Sequence, residues 1–366
     1  RQMCIRDSMS TSEHNENVAY EKIASLGGGH GLFATLRACR TIADHVTAIV
    51  TVADDGGSSG RLRRELGTLP PGDLRMALAA LARDTERGRL WETALQHRFG
   101  GNGALNGHAV GNFLITGLAQ VMGDDIAALD EISRLLGIRG RVVPMSTEPL
   151  DLEAEVLGLA EDPREVVAVR GQVAVASTLG EVRRVRLIPA DPPAAAPAVE
   201  AILNADLVTL GPGSWFSSVT PHVLVPGIVQ ALAQTSAPKV MIMNLVSEPG
   251  ETSHLSMEHH IHMLYQHCPS LRVDAIVIDL STMPGAPVRR HVERAASLLG
   301  AKVIYRDVRE DDNRGRWTDR HKPRKLANVL AEVRNGVDKV PAILEKDRAA
   351  ADRPGRGDGT GFYSTT

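Results

Sequence analysis

Twice in this chain a short apolar run breaks into glycine and restarts as a helix: "KIASLGGGHGLFATLRAC" from Lys22 and "DLVTLGPGSWFSSVTP" from Asp206. Strand, glycine turn and helix start in that order is the building unit of a parallel sheet with covering helices. The turn lies past the strand's carboxyl end, where open α/β sheets bind ligands. Helix N-termini there present unpaired amides and a partial positive charge, and so form a phosphate cradle. Two such turns in one sheet can hold the two ends of one ligand, such as a nucleotide diphosphate. In the first turn the candidates are Gly27, Gly28, Gly29, His30, Gly31 and Leu32; in the second, Gly211, Pro212, Gly213, Ser214 and Ser217, with Ser218 as a further hydroxyl. His30 either contacts ligand or merely occupies the first helical turn.

The rest of the pattern supports the same class. "VTAIVTVADD" reads as a buried second strand. Helices come next in "GDLRMALAALA", "GRLWETALQHRF", "GHAVGNFLITGLAQVMG" and "DDIAALDEISRLLG". "DLEAEVLGL", "VVAVRGQVAVAS" and "VRRVRLIPA" then read as three strands with no helix between them, a small antiparallel excursion. The α/β rhythm resumes with "DLVTL", a helix in "PHVLVPGIVQALAQT", "KVMIMNLV", "VDAIVIDL", a helix around 288–299, "AKVIYRDV" and a final helix in "KPRKLANVLAEVRN". The expected fold is α/β and Rossmann-like: a mostly parallel sheet, helices on both faces, and a β excursion in the middle. The opening "RQMCIRDS" looks foreign to the rest of the chain, so 1–18 is expected to be disordered or non-native, with Met9 a plausible start. One domain is expected over 19–340. The polar tail 345–366, rich in Gly, Arg and Asp, reads as disordered.

"ADDGGSSGRLRR" carries the most chemistry. Gly29, Gly31 and Ala34 satisfy G-x-G-x-x-A, and an acid at the end of the second strand completes a dinucleotide pattern. Here that acid is doubled, Asp54 and Asp55, and followed by Gly56, Gly57, Ser58, Ser59, a glycine and then Arg61, Arg63 and Arg64 in what reads as a loop. The two acids either hold a divalent cation such as Mg²⁺ or accept from sugar hydroxyls. Arginine forks match phosphate oxygens in pairs. In "PPGDLR", Asp73 either caps a helix or meets ligand, and Arg75 sits where the helix dipole disfavours a cation, which points it at an anion. His108 and Asn112 in "NGHAVGNFL" have helical spacing, and make either a buried hydrogen bond or a site. Asn244 follows a strand and can reach the same crevice.

Composition closes off several classes. Forty-one basic against 44 acidic residues give a net charge of −3, with no general affinity for nucleic acid. Cys4, Cys39 and Cys268 form no disulfide framework or zinc spacing, which favours a reducing cytoplasm. No apolar run is long enough to span a bilayer, so no membrane insertion is expected. P-loop and nucleophile-elbow motifs are absent from the sequence. The histidines between His254 and His267 lack the HExxH arrangement, and the mixed-charge "REDDNRGRWTDRHKPRK" reads as a solvated segment. An NAD-dependent oxidoreductase would have the glycines but no evident hydride-transfer site.

"GGGHGL", "VADDGGSSGRLR", "PPGDLR", "GHAVGNFL" and "GPGSWFSSVTP" occur in that order over most of the chain. Together they resemble the YvcK-like gluconeogenesis factors, a branch of the superfamily that includes 2-phospho-L-lactate transferase (CofD). That resemblance implies a cytoplasmic bacterial protein that binds UDP-sugars such as UDP-N-acetylglucosamine. It further implies a regulatory role in gluconeogenic growth, cell shape and cell-wall synthesis, with cell-wall or regulatory proteins as partners, and leaves a homo-oligomer open. The transferase cousins use a divalent metal to move a phospholactyl group, and Asp54 and Asp55 match their metal- or acceptor-side acids. The Gly-Gly-Gly-His-Gly turn and the Ser-Ser-Gly-Arg insertion depart from the transferase pattern. The expectation is therefore a binding protein without turnover, with a metal-dependent transferase as the alternative.

Overall fold

The computed structural model describes residues 18–246, 256–312 and 316–337. Of the two end segments expected to be disordered, 1–18 lies outside the described residues except for Val18, and 345–366 lies outside them entirely. Glycine-ended β1 (Tyr20–Gly27) leads into α1 (Gly29–Cys39) and β2 (Ala43–Val50). Five helices come next: α2 (Gly57–Leu66), α3 (Pro71–Leu81), α4 (Glu86–Gln96), α5 (Val110–Met122) and α6 (Asp125–Leu136). Then come β3 (Gly140–Pro144), β4 (Asp151–Leu157), β5 (Val166–Arg170), the short α7 (Gln172–Ala176) and β6 (Glu181–Ile188). The second half holds α8 (Ala196–Leu203), β7 (Leu207–Leu210), α9 (Pro226–Gln234), β8 (Lys239–Ile242), α10 (Met257–His267), β9 (Ala275–Asp279), α11 (Ala286–Leu298) and β10 (Lys302–Arg306). A hairpin of β11 (Arg309–Asp311) and β12 (Trp317–His321) precedes α12 (Pro323–Val333).

Seven strands form one parallel sheet in the order β10-β9-β8-β7-β1-β2-β3. Its strands are near-continuous apolar runs because both faces are covered. Alternate residues of β1 feed opposite cores: Ile23 packs with Leu36 of α1, Leu78 of α3 and Leu330 of α12. Ala24 and Leu26 pack instead with Ile202 of α8, Ile228 of α9 and Leu264 of α10. The excursion is a separate antiparallel sheet, β5-β4-β6, whose buried residues Ala154 and Val156 join the second core.

The winding places the site. From β1 the chain proceeds to β2 and β3 on one side, whereas β7 through β10 extend on the other. Strand order therefore reverses between β1 and β7, and a crevice opens beyond their carboxyl ends. Both glycine turns lie there.

Several local expectations are corrected. The Gly57–Gly60 stretch is the first turn of α2, not a loop; "RLRREL" is good helix former, and Gly67 at φ +67° closes the helix by donating to the Arg63 carbonyl. "VVAVRGQVAVAS" is a strand only to Arg170; Gly171 at φ +101° ends it, and α7 begins. "PHVLVPGIVQALAQT" is split, with a 3₁₀ turn over Thr220–Leu224 and a new helix from Pro226, a residue that cannot continue the ladder before it. The mixed-charge segment folds as the β11–β12 hairpin. β3, "GRVVP", is a strand that the sequence pattern does not announce, because it is short and abuts the stronger helical signal of α6. Among the described residues no single helix is long and apolar enough to cross a membrane.

Candidate functional site

The two glycine turns touch. A Cβ added to Gly31 would stand 2.2 Å from the Pro212 carbonyl oxygen and 2.8 Å from the Gly213 nitrogen, so only glycine allows this approach. Thr35 Oγ1 reaches across to the Gly211 carbonyl at 3.2 Å. Asn244 holds the second turn from the far side, accepting from Gly213 N–H at 2.8 Å and donating to the Gly213 carbonyl at 2.9 Å. After that turn the chain makes a π-helical turn, Trp215–Val219, a geometry that recurs at functional sites. Its N-cap Ser214 accepts from Ser217 N–H and is hydrogen-bonded to the Ser217 hydroxyl. Leu32 and Gly27 face each other beneath the first turn, and Leu32 is fully buried in the core, away from the crevice.

Between the turns lies a polar cleft of about 240 Å³. Gly28, Gly29, His30 and Gly31 form one wall, Gly213, Ser214, Ser217 and Ser218 another. Asp54 and Asp73 complete it, with Thr51 and Gln172. Asp73 is not a cap: Pro70 is the N-cap of α3, and Asp73 lies in the first turn with its Oδ2 directed at Gly28. Burial pushes its carboxyl up to about 7, the neighbouring Asp54 adding to the rise and the Gly29 backbone hydrogen bond opposing it. Asp54 is raised too, chiefly by burial, although Gly56 N–H donates to its Oδ1 at 2.9 Å.

Asp55 is separated from this pair. Its Oδ1 accepts from Val173 N–H at 3.0 Å, so it caps α7 and ties the β excursion to the end of β2. The adjacent acids thus do different work, and the carboxylate that joins Asp54 at the cleft is Asp73. Among the described residues no three His, Cys, Asp or Glu side chains converge as a metal cage. Asp54 and Asp73 fit the other mode, in which Mg²⁺ is anchored by one or two carboxylates and completed by substrate phosphates and water.

Ser58 and Ser59 serve the scaffold. Ser59 Oγ accepts from Gly72 N–H at 3.0 Å and joins the starts of α2 and α3. Ser58 Oγ lies 2.9 Å from His108 Nδ1 and accepts from Asn112 Nδ2 at 2.9 Å. His108 and Asn112 therefore meet through a serine on another helix, and His108 stands ahead of α5 rather than on it. Burial lowers the His108 pKa, as do the Arg61 and Arg98 charges. The arginines do not line the polar cleft. Arg61 donates to the Asn106 carbonyl at 3.0 Å; Arg63 pairs with Asp151. Arg75 is buried against Gln96, and burial lowers its pKa to about 10. Gly57, at φ +46°, is exposed at the start of α2.

A second, wider cleft of about 940 Å³ opens on the other side of the turns and shares His30, Gly31 and Gly213 with the first. Phe33, Ala34 and Arg37 of α1 form its floor, Pro212, Asn244 and Leu245 one side, and Arg320 and His321 of the hairpin the other. Sequence reasoning missed this hairpin wall, along with Thr51 and Gln172. Nothing in the local pattern marks them, because all are brought in by long-range packing.

The match to known proteins follows the same motifs. The family model of 2-phospho-L-lactate transferase CofD matches residues 23–314. A Mycobacterium tuberculosis protein provisionally named a gluconeogenesis factor is 57% identical over 311 residues, 85% of this chain and 90% of its own. The gluconeogenesis factor of Bacillus subtilis is 36% identical over 322 residues, 85% of this chain and 98% of its own. A crystal structure of a UPF0052 family member from Bacillus halodurans superposes with a TM-score of 0.74 at 35% identity, over 85% of this chain and 99% of that one. With glycine turns, acids and sheet order all in place, the chain belongs to the gluconeogenesis factor family of the CofD superfamily.

Proposed function

We propose that this protein is a gluconeogenesis factor that works by binding a UDP-sugar of the UDP-N-acetylglucosamine kind, and that the bound state regulates growth on gluconeogenic carbon sources and cell-wall synthesis. The observation that carries the reading is the contact between the two glycine turns at the reversal of strand order. It gives one ligand two sets of backbone amides and a cleft on either side. Names borne by the relatives support the gluconeogenic role; the cell-wall role rests on the family resemblance, and the ligand on that resemblance and on the geometry. Differential scanning fluorimetry tests it. A UDP-sugar at a hundred times its dissociation constant stabilises the fold by about 2.7 kcal/mol. Flat melting curves with millimolar UDP-N-acetylglucosamine and UDP-glucose would remove the ligand from the reading.

One observation favours a second reading, a metal-dependent transferase: Asp54 and Asp73 are both at the cleft, and Asp73 is poised to exchange a proton near neutrality. Incubation with nucleotide-diphosphate donors and Mg²⁺, followed by product analysis, separates the two. A released nucleotide product would favour transfer over binding.

A further inference from the structure

The two clefts differ in chemistry in a way that orients the ligand. Among the described residues that line the small cleft none is lysine or arginine, and two are carboxylates. Such a cavity repels a phosphate and accepts hydrogen bonds from hydroxyls. Ser218 adds to it: the residue is 7% exposed and its Oγ is beside Gly28. Gln172 also lines this space. At about 240 Å³ against about 940 Å³, the small cleft offers roughly a quarter of the space of the wide one. The wide cleft is of ordinary ligand-pocket size and combines apolar walls with arginine. At the neck shared by both, the His30 and Gly31 amides in the first turn of α1 lack helical acceptors, whereas Gly29 N–H is bonded to Asp73.

We infer that the small acidic cleft receives the hydroxylated sugar end of the nucleotide-sugar, the neck its diphosphate, and the wide cleft its nucleoside. This rests on the UDP-sugar reading above. Recognition of the sugar is then a matter of acceptors on Asp54, Asp73 and Ser218, and the cleft distinguishes a nucleotide-sugar from the bare nucleotide.

Calorimetric titration of the full chain with UDP and with UDP-N-acetylglucosamine, without metal, tests the orientation. In Asp73→Ala and in Gln172→Leu, the second a change at a partly exposed residue of α7, UDP affinity should stay within twofold. The preference for UDP-N-acetylglucosamine over UDP should fall at least fivefold. Ala34→Trp, which puts an indole into the wide cleft, should weaken both ligands by the same factor, tenfold or more. Equal loss of both ligands in the small-cleft variants, or loss of sugar preference in Ala34→Trp with UDP binding intact, overturns the orientation while leaving the binding function standing. Failure of the unmodified chain to bind either ligand overturns the function itself, and the orientation with it.

Discussion

Gly31→Ala puts the contact between the turns to a direct test. The added methyl would lie 2.2 Å from the Pro212 carbonyl oxygen, an atom held on a buried backbone that cannot swing aside. Ordinary carbon contacts begin near 3.5 Å, so the two turns must part by about 1 Å. Overpacking of this kind costs about 1–3 kcal/mol. For a chain of this size that is a fall in Tm of roughly 2–6 °C. A ligand that grips both turns must restore their spacing on binding, so the same strain reappears as a roughly five- to 150-fold loss of affinity. Gly117→Ala is the matched control: it lies inside α5, and its added Cβ meets nothing within 4 Å. There the same chemical change should raise stability by about 0.5–1 kcal/mol and leave binding alone. Thermal melts and titration with UDP-N-acetylglucosamine read both effects. If Gly31→Ala melts with the unmodified chain and binds equally well, the turns do not meet as described.

Three further outcomes are expected. His222, His260 and His321 are buried, and burial lowers each to about 4 from 6.5, so each stays neutral in the fold and is protonated on unfolding below pH 6.5. Their contribution is complete above pH 6.5 and is lost as pH falls toward 4, at up to about 1.4 kcal/mol per pH unit for each; urea unfolding at about pH 7.5 and 5.5 should show it, and His260→Phe should flatten the slope. Asp55→Ala removes the cap of α7 and should cost about 1 kcal/mol with little effect on UDP binding, whereas a large loss of UDP affinity would return Asp55 to the cleft. Chelation should reduce nucleotide affinity only modestly, and Asp54→Asn should abolish that metal-dependent part; affinity that vanishes wholly with EDTA would favour the transferase reading.

Much of the fold was legible because parallel strands buried on both faces must be apolar throughout. "KIASLG", "DLVTL" and "AIVID" therefore announce themselves, and the glycines after the first two mark the ends that matter. The backbone part of the site was legible for the same reason. Gly28 and Gly31 are glycine because Asp73 and Pro212 leave no room for a Cβ, a constraint that any sequence reading registers as an unexplained glycine. The arginines were not legible in this way. Arg61, Arg63 and Arg75 suggested phosphate by composition, but each is spent inside the protein, on Asn106, Asp151 and Gln96. A fork that matches phosphate matches a carboxylate or a carbonyl equally well, and only the fold says which is within reach.

The acid pair shows why adjacency in sequence misled. At the end of β2 the chain turns from extended backbone into α2, and two consecutive side chains leaving such a corner diverge. Asp54 goes inward, where Gly72 is small enough to admit it, with its Oδ2 3.0 Å from the Cβ that Gly72 lacks. Asp55 goes outward to the α7 amide. The partner of Asp54 is supplied by Asp73, one helix later, because the Pro-Pro-Gly that opens α3 brings its first turn against Ser59 and the end of β1. A carboxylate pair at the cleft is thus a property of how α2 and α3 pack on β1, and Gly72→Ala should disturb it. The new methyl meets both Asp54 Oδ2 and Ser59 Oγ near 3 Å, so the carboxylate must shift by a few tenths of an ångström. The sugar preference should fall in that variant while UDP binding is kept, as in Asp73→Ala. Unchanged preference would mean that Asp54 plays no part in holding the ligand.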